Sequence, residues 1–309
     1  MNLKRICISS AGLFFTICMC CGCGHEKVAS VSSFRTYTPG YAEALVPSSP
    51  GEITAQSGAL TLDFSNTDQG YFTGILSAPG KKVNIQVTGP DQVVYHYFIH
   101  QSDTLSVFPL TAGNGTYLIM AFEQISEDQY ASLLGQALEV SVENDFLPFL
   151  YPNQYTDFSN DSEAVRLAAE LSADAPKDLD ALKAVYNYII STISYDTQKA
   201  QTVETGYLPN IDETLSSGTG ICFDYAALTA AMLRSLSIPT RLEIGYSNDV
   251  RHAWIDVYIQ SMGWIDNAIE FNGEEWHLLD PTFAASAQDS KIVKDYLGDG
   301  SNYTLQYIR

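Results

Sequence analysis

Short runs of alternating apolar and polar residues dominate the first half of the chain. Between about residues 51 and 144, apolar side chains recur at every second position, which places them on one face of a β-strand. Gly, Pro, Asn and Asp separate the runs, as turns between strands require. The predicted strands are residues 60–64, 71–76, 82–87, 93–99, 105–109, 116–122 and 137–142. Their spacing favours an antiparallel β-sandwich of immunoglobulin-like type over residues 51–145.

The second half changes to helical spacing after an aromatic connector at about residues 144–159. Helices are predicted at about 162–172 and 178–195, with Pro176 between them, and a third runs from near Cys222 to about residue 237. Residues 202–217 are predicted to be a loop. The remaining predictions are strands at 240–246, 251–259, 263–269, 276–279 and 303–308, and a helix at 291–297. Helices followed by antiparallel strands indicate an α+β domain over residues 146–309.

The first 23 residues have the features of an export signal. Lys4 and Arg5 precede an apolar run that is too short to span a bilayer. The segment resembles a bacterial lipoprotein signal, with Cys23 as the lipidated residue after Gly22. Cys20 or Cys21 is an alternative acceptor, and an ordinary cleaved signal peptide is the alternative to lipidation. The resemblance implies an exported protein, lipid-anchored at the outer face of the cell membrane, with residues 24–50 as a Ser/Thr/Pro-rich linker.

Charge and motif content exclude several classes of function. The net charge of -20 argues against a nucleic-acid partner, which would need a basic face for phosphates. An acidic balance of this size is explained by solubility alone. The sequence has no Gly-rich phosphate loop, no cluster with metal-ligand spacing and no haem motif, so we expect neither a cofactor nor a metal.

Cysteine usage isolates one thiol. Five of the six cysteines lie in the first 23 residues, so Cys222 is the only thiol beyond the export signal. A lone thiol in an exported protein is either a buried apolar side chain or a reactive group. Cys222 follows a Gly-containing loop and opens a helix, where the peptide dipole favours the thiolate. His252 begins one predicted strand and Asp280 ends another, which supplies an imidazole base and a carboxylate to orient it.

Three sequence blocks occur in a fixed order around these residues. They are GICFDYA at 220–226, HAWIDVY at 252–258, and GW at 263–264 leading to WHLLDPT at 276–282. Together they resemble the transglutaminase-like superfamily, over about residues 161–283. The resemblance implies a papain-like α+β core in which Cys222 is the nucleophile, His252 the base and Asp280 its orienting carboxylate. The whole chain is similar to exported bacterial proteins that join a β-sandwich to such a core.

Two functions are compatible with this sequence. The first is a surface-anchored cysteine enzyme that attacks amide bonds of a protein or peptide, at the cell surface or cell wall, through a thioester. Hydrolysis is favoured over cross-linking because water needs no second binding site. The backbone N–H of Cys222 is one oxyanion donor, and Tyr207 and Trp254 are candidates for the second. The alternative is a catalytically silent module for binding or adhesion.

Overall fold

The computed structural model describes residues 36–99, 101–126, 129–204, 206–247, 250–271, 276–278 and 303–309. The described residues belong to one compact unit, Phe34–Arg309. The fold is mixed, with helices and several antiparallel sheets. Within the described residues, every helix is too short or too polar to cross a lipid bilayer.

The first eight strands form two four-stranded antiparallel sheets. They are β1 (Thr54–Ser57), β2 (Leu60–Asp63), β3 (Tyr71–Leu76), β4 (Val83–Thr88), β5 (Val94–Ile99), β6 (Ser106–Pro109), β7 (Gly115–Ser126) and β8 (Gln129–Val140). The strand orders are β1-β2-β3-β6 and β5-β4-β7-β8. We call this pair the N-terminal sheets. Every strand predicted between residues 60 and 142 overlaps one of them, whereas β1 was not predicted.

One hydrophobic core joins the N-terminal sheets. Leu62 and Phe72 from the first sheet and Ile85, Tyr97 and Ile119 from the second are buried in the same cluster. The alternating apolar positions therefore face each other, as the sequence pattern predicted. The immunoglobulin-like type of this pair stays a prediction.

In the described part of the chain, five helices follow the aromatic connector. They are α1 (Glu163–Ser172), α2 (Asp178–Thr192), α3 (Thr197–Thr202), α4 (Ile211–Ser217) and α5 (Cys222–Ser235). Two-residue strands β9 (Ser194–Tyr195) and β10 (Thr219–Gly220) pair in parallel after α2 and before α5. This pairing explains why the second helix ends at Thr192 and not at residue 195 as predicted.

The predicted loop at 202–217 is wrong in its second half. Asn210 caps α4 by accepting a hydrogen bond from the backbone N–H of Glu213 at 3.1 Å. Ile211 and Thr214 are buried by this helix. A helix of seven residues is too short to display a helical repeat in the sequence, which is why the pattern did not reveal it.

The last five strands make one antiparallel sheet. They are β11 (Thr240–Ser247), β12 (Val250–Ile259), β13 (Gly263–Phe271), β14 (Trp276–Leu278) and β15 (Tyr303–Ile308), in the order β14-β13-β12-β11-β15. All five were predicted, within a few residues at their ends. The predicted helix at 291–297 lies outside the described residues.

Helix α5 lies at the centre of the second core. Every residue from Asp224 to Ser235 is buried, as expected for a helix that is covered on all sides. Its Ala227, Leu228 and Ala231 share one hydrophobic cluster with Ala253 and Ile255 of β12. Packing of α5 on this face of the sheet brings its first residue, Cys222, towards β12.

Arg234 connects α5 to three other parts of the chain. Its guanidinium donates hydrogen bonds to the backbone carbonyls of Thr240 at 3.0 Å, Tyr151 at 3.0 Å and Arg309 at 2.8 Å. The side chain is 1% exposed, and burial lowers the pKa of the guanidinium. This one side chain therefore ties the helix to β11, to the aromatic connector and to the residue after β15.

Candidate active site

The turn before Cys222 is shaped by two glycines. Gly218 ends α4 in the left-handed conformation, with φ of 64°. Gly220 lies so close to α5 that a Cβ atom there would be 2.8 Å from the Cβ of Asp224. Ile221 is extended and its backbone N–H donates to the Asp224 carboxylate at 2.8 Å. Cys222 thus begins the helix as predicted, and Asp224 caps its first turn.

Asp224 also holds the segment that precedes α4. Its carboxylate is fully buried and accepts a hydrogen bond from Lys199 Nζ at 2.7 Å and another from the Tyr207 hydroxyl. Lys199 Nζ lies 2.7 Å from the Tyr207 hydroxyl as well. The charge of Lys199 compensates the buried carboxylate. Since the Tyr207 hydroxyl donates its proton to Asp224, it cannot serve as the second oxyanion donor in this arrangement.

The Cys222 sulfur lies against the main chain of β12. The thiol is partly exposed, but burial raises its pKa above the ordinary cysteine value. Hydrogen bonds from the backbone at Ala253 and Phe223 lower the pKa, whereas the Asp224 charge raises it further. Burial therefore favours the neutral thiol in this state, whereas the position at a helix N-terminus had led us to expect the thiolate.

His252 is the residue immediately before this contact on β12. It is 8% exposed, and its ring stacks with the Trp254 indole at a centroid distance of 6.1 Å. Burial lowers the imidazole pKa to about 4, so the ring is neutral at pH 7. The structure therefore brings Cys222 beside the segment that carries His252. Asp280 and Cys23 lie outside the described residues.

A buried acidic pair on β11 and β12 was not predicted. Glu243 and Asp256 are 6% and 4% exposed, and their carboxyl groups share a hydrogen bond. Burial, and secondly the charge of Asp256, raise the pKa of Glu243. Glu243 lies on the strand face opposite Leu242 and Ile244, and a charged residue opposite the apolar face of a strand is usually exposed to solvent.

The aromatic connector contacts the face of the last sheet that carries Glu243 and Asp256, opposite the face that packs on α5. The Arg241 guanidinium lies 5.0 Å from the ring centre of Phe149 and 3.8 Å from that of Trp264. The Phe146 and Tyr258 rings are 4.3 Å apart. Glu243, Trp254 and Asp256 are buried on this face, where a polar group depends on protein partners for its hydrogen bonds.

The family comparison covers the sequence blocks at 220–226, 252–258 and 263–264, and the block at 276–282 lies beyond it. Residues 165–267 match the family model of the transglutaminase-like superfamily, which confirms the resemblance for this region. A search of curated protein sequences finds no match.

Several solved structures align with the chain at low similarity, including two suspected proteases and a transglutaminase. A suspected cysteine protease of Cytophaga hutchinsonii shares 16% identity over 83% of this chain and 84% of its own, with a TM-score of 0.37. A suspected protease of Parabacteroides distasonis shares 10% identity over 67% and 63%, with a TM-score of 0.29. Red sea bream transglutaminase shares 13% identity over 69% and 48%, with a TM-score of 0.26. The match at 165–267 is therefore the comparison that informs the site.

Proposed function

We propose that this chain, with its transglutaminase-like core, is a cysteine enzyme that attacks amide bonds of a protein or peptide through a thioester on Cys222. One observation carries the proposal: the Cys222 sulfur, at the first residue of α5, contacts the backbone of Ala253, next to His252. The proposal therefore makes Cys222 on α5 the nucleophile and His252 on β12 the base.

The proposed reaction begins from a neutral pair. Because burial raises the pKa of Cys222 and lowers that of His252, thiol and imidazole are both uncharged at pH 7. His252 then takes the thiol proton as the sulfur attacks the carbonyl carbon, in general-base catalysis. The backbone N–H of Cys222 would stabilise the resulting oxyanion, and Asp280 would orient the imidazole.

Collapse of the tetrahedral intermediate completes acylation. The proton held by His252 passes to the leaving amine or ammonia as the carbon–nitrogen bond breaks, which leaves a thioester on Cys222. Water, deprotonated by His252, then releases the acid and restores the thiol. A lysine amine in place of water would give a cross-link, but hydrolysis needs only the one substrate-binding site.

Replacement of the nucleophile tests the proposal. Cys222→Ala is expected to lower hydrolysis of a labelled casein and of the glutamine amide in carbobenzoxy-Gln-Gly by at least about 10³-fold, because no thioester can form. Fluorescence of the peptides released from labelled casein measures the first reaction, and release of ammonia measures the second. Circular dichroism must show that the variant keeps its fold. Undiminished activity of the folded variant would refute the mechanism.

The raised pKa of Cys222 also favours a second candidate, a silent binding or adhesion module. A neutral, desolvated thiol is what a retained but inactive core would contain. Iodoacetamide separates the two candidates. An enzyme reacts at Cys222 more slowly when a substrate peptide is present, because the peptide occupies the site and the thioester blocks the sulfur. A silent module reacts slowly at neutral pH with or without peptide.

We propose that the enzyme acts at the outer face of the cell membrane, held there by lipid on Cys23. The export-type segment at residues 1–23 supports this location. The protein is expected to incorporate radiolabelled palmitate and to sediment with membranes, and Cys23→Ser to abolish both. Cys20→Ser and Cys21→Ser are the matched controls. Loss of label in only one of these controls would assign the lipid to that cysteine instead of Cys23. Absence of label in the wild type would exclude lipidation.

A further inference from the structure

A cavity of about 510 Å³ opens beside the first turn of α5. Phe223, the residue after Cys222, lines it, and so does Tyr207, whose ring meets Phe223 edge to face at 6.3 Å. The cavity therefore begins one residue from the proposed nucleophile. We call it the side pocket.

The side pocket is basic in a strongly acidic chain. The chain has 16 Lys and Arg against 36 Asp and Glu. Three of the cations, Lys82, Arg251 and Arg309, line the side pocket, and none of the described residues that line it is Asp or Glu. Such a local reversal of sign, against a repulsive background, is the arrangement expected at a site for a small anionic group.

The three cations come from separate parts of the fold. Lys82 precedes β4 in the N-terminal sheets, and its Nζ lies 4.5 Å from the ring centre of Phe98. Arg251 is exposed on β12, one residue before His252. Both can reach a ligand that enters from solvent. The N-terminal sheets thus contribute one wall of a pocket beside the transglutaminase-like core.

Arg309 supplies the buried end of the side pocket. It is 3% exposed and lies among four tyrosine rings, with its guanidinium carbon 4.4 Å from the ring centre of Tyr97 and 4.5 Å from that of Tyr155. Its Nη2 lies 3.5 Å from the backbone carbonyl oxygen of His96, and the Tyr97 hydroxyl is a further hydrogen-bond partner. A desolvated guanidinium in such an aromatic surround attracts a carboxylate by its charge.

We infer that the side pocket binds a carboxylate-bearing residue of the substrate, so that the enzyme prefers acidic peptides. This inference rests on the proposed function. An extended peptide advances about 3.3 Å per residue, so a Glu or Asp within one to three residues of the attacked amide falls within the pocket. The aromatic walls formed by Phe223, Tyr207 and Tyr155 contact the apolar part of that segment.

Binding to an inactive protein tests the inference without requiring turnover. The Cys222→Ala chain is titrated calorimetrically with Ac-Glu-Glu-Gln-Gly-NH₂ and with the uncharged Ac-Gln-Gln-Gln-Gly-NH₂. The acidic peptide is expected to bind at least about tenfold more tightly. Lys82→Gln and Arg251→Gln, each in the Cys222→Ala background, are expected to remove most of that preference. Equal affinities for the two peptides would overturn the inference.

Lys81→Gln is the matched control. Lys81 is adjacent to Lys82 but pairs with Glu123 and does not line the side pocket, so its loss should leave the preference unchanged. If Lys81→Gln lowers the preference as much as Lys82→Gln does, the effect is general electrostatics and the inference fails. Tighter binding of an oligonucleotide of equal charge would also overturn it.

The two proposals fail in different ways. If Cys222→Ala abolishes hydrolysis but charge on the peptide affects neither cleavage nor binding, the proposed reaction stands and the side pocket has no role in selection. If the acidic peptide binds through Lys82 and Arg251 but no peptide is ever cleaved, the side pocket is a recognition site of a silent module.

Discussion

Arg234→Met is expected to lower the free energy of unfolding by about 3 kcal/mol. The guanidinium makes three hydrogen bonds to backbone carbonyls, and it is 1% exposed. Hydrogen bonds from charged donors contribute about 1.5–3 kcal/mol each, and the carbonyls left behind find no water. Removal of a desolvated charge returns part of that loss, which is why the net value is smaller than the sum.

Urea denaturation measures this effect, and an exposed arginine controls for it. Arg166 lies on the surface of α1 and pairs there with Glu163 and Glu170, which adds little to stability. Arg166→Met should therefore shift the urea midpoint far less than Arg234→Met. Equal shifts for the two variants would show that Arg234 does not tie α5 to its neighbours.

Glu243→Gln is expected to stabilise the protein increasingly as the pH rises. Burial and the Asp256 charge raise the pKa of Glu243, so the folded state keeps a proton that the unfolded chain loses near pH 4.3. The stability contributed by the protonated carboxyl is present below that value and is lost as the pH rises towards the folded pKa. Glutamine is neutral at every pH and can still hydrogen-bond to Asp256.

The difference in unfolding free energy between variant and wild type should grow by about 1.4 kcal/mol per pH unit between pH 5 and pH 7. His252 acts in the opposite sense, because its lowered pKa costs stability as the pH falls from about 6.5 towards 4. Both proteins retain His252, so its effect cancels in the difference. Glu52→Gln, at an exposed glutamate, should show no such trend. A constant difference across this range would mean that Glu243 is ionised in the fold.

Periodicity predicted those elements that are long enough to display it. The strands at 71–76 and 303–308 were predicted at their observed bounds. The strand predicted at 93–99 is Val94–Ile99, in which Tyr95, Tyr97 and Ile99 are buried at every second position. Helix α4 was missed because its structure depends on one cap at Asn210 and on two buried side chains. These features do not produce a helical repeat of apolar residues in the sequence.

The protonation of the site residues depends on packing that could not be predicted from the sequence. The start of a helix at Cys222 was predictable from the loop before it, but the pKa of its thiol is set by burial against β12. Likewise, strand alternation puts Glu243 opposite Leu242 and Ile244, yet burial and the neighbouring Asp256 charge raise the pKa of its carboxyl. Alternation gives the face of a side chain, and only the fold decides what covers it.

The most direct measurement is mass spectrometry of the protein, quenched in acid during incubation with the acidic glutamine peptide. The account predicts an acyl adduct, labile to hydroxylamine, on the fragment that contains Cys222, and none in the Cys222→Ala protein. An adduct on another residue, or cleavage of the peptide with no adduct under conditions that preserve thioesters, would contradict it.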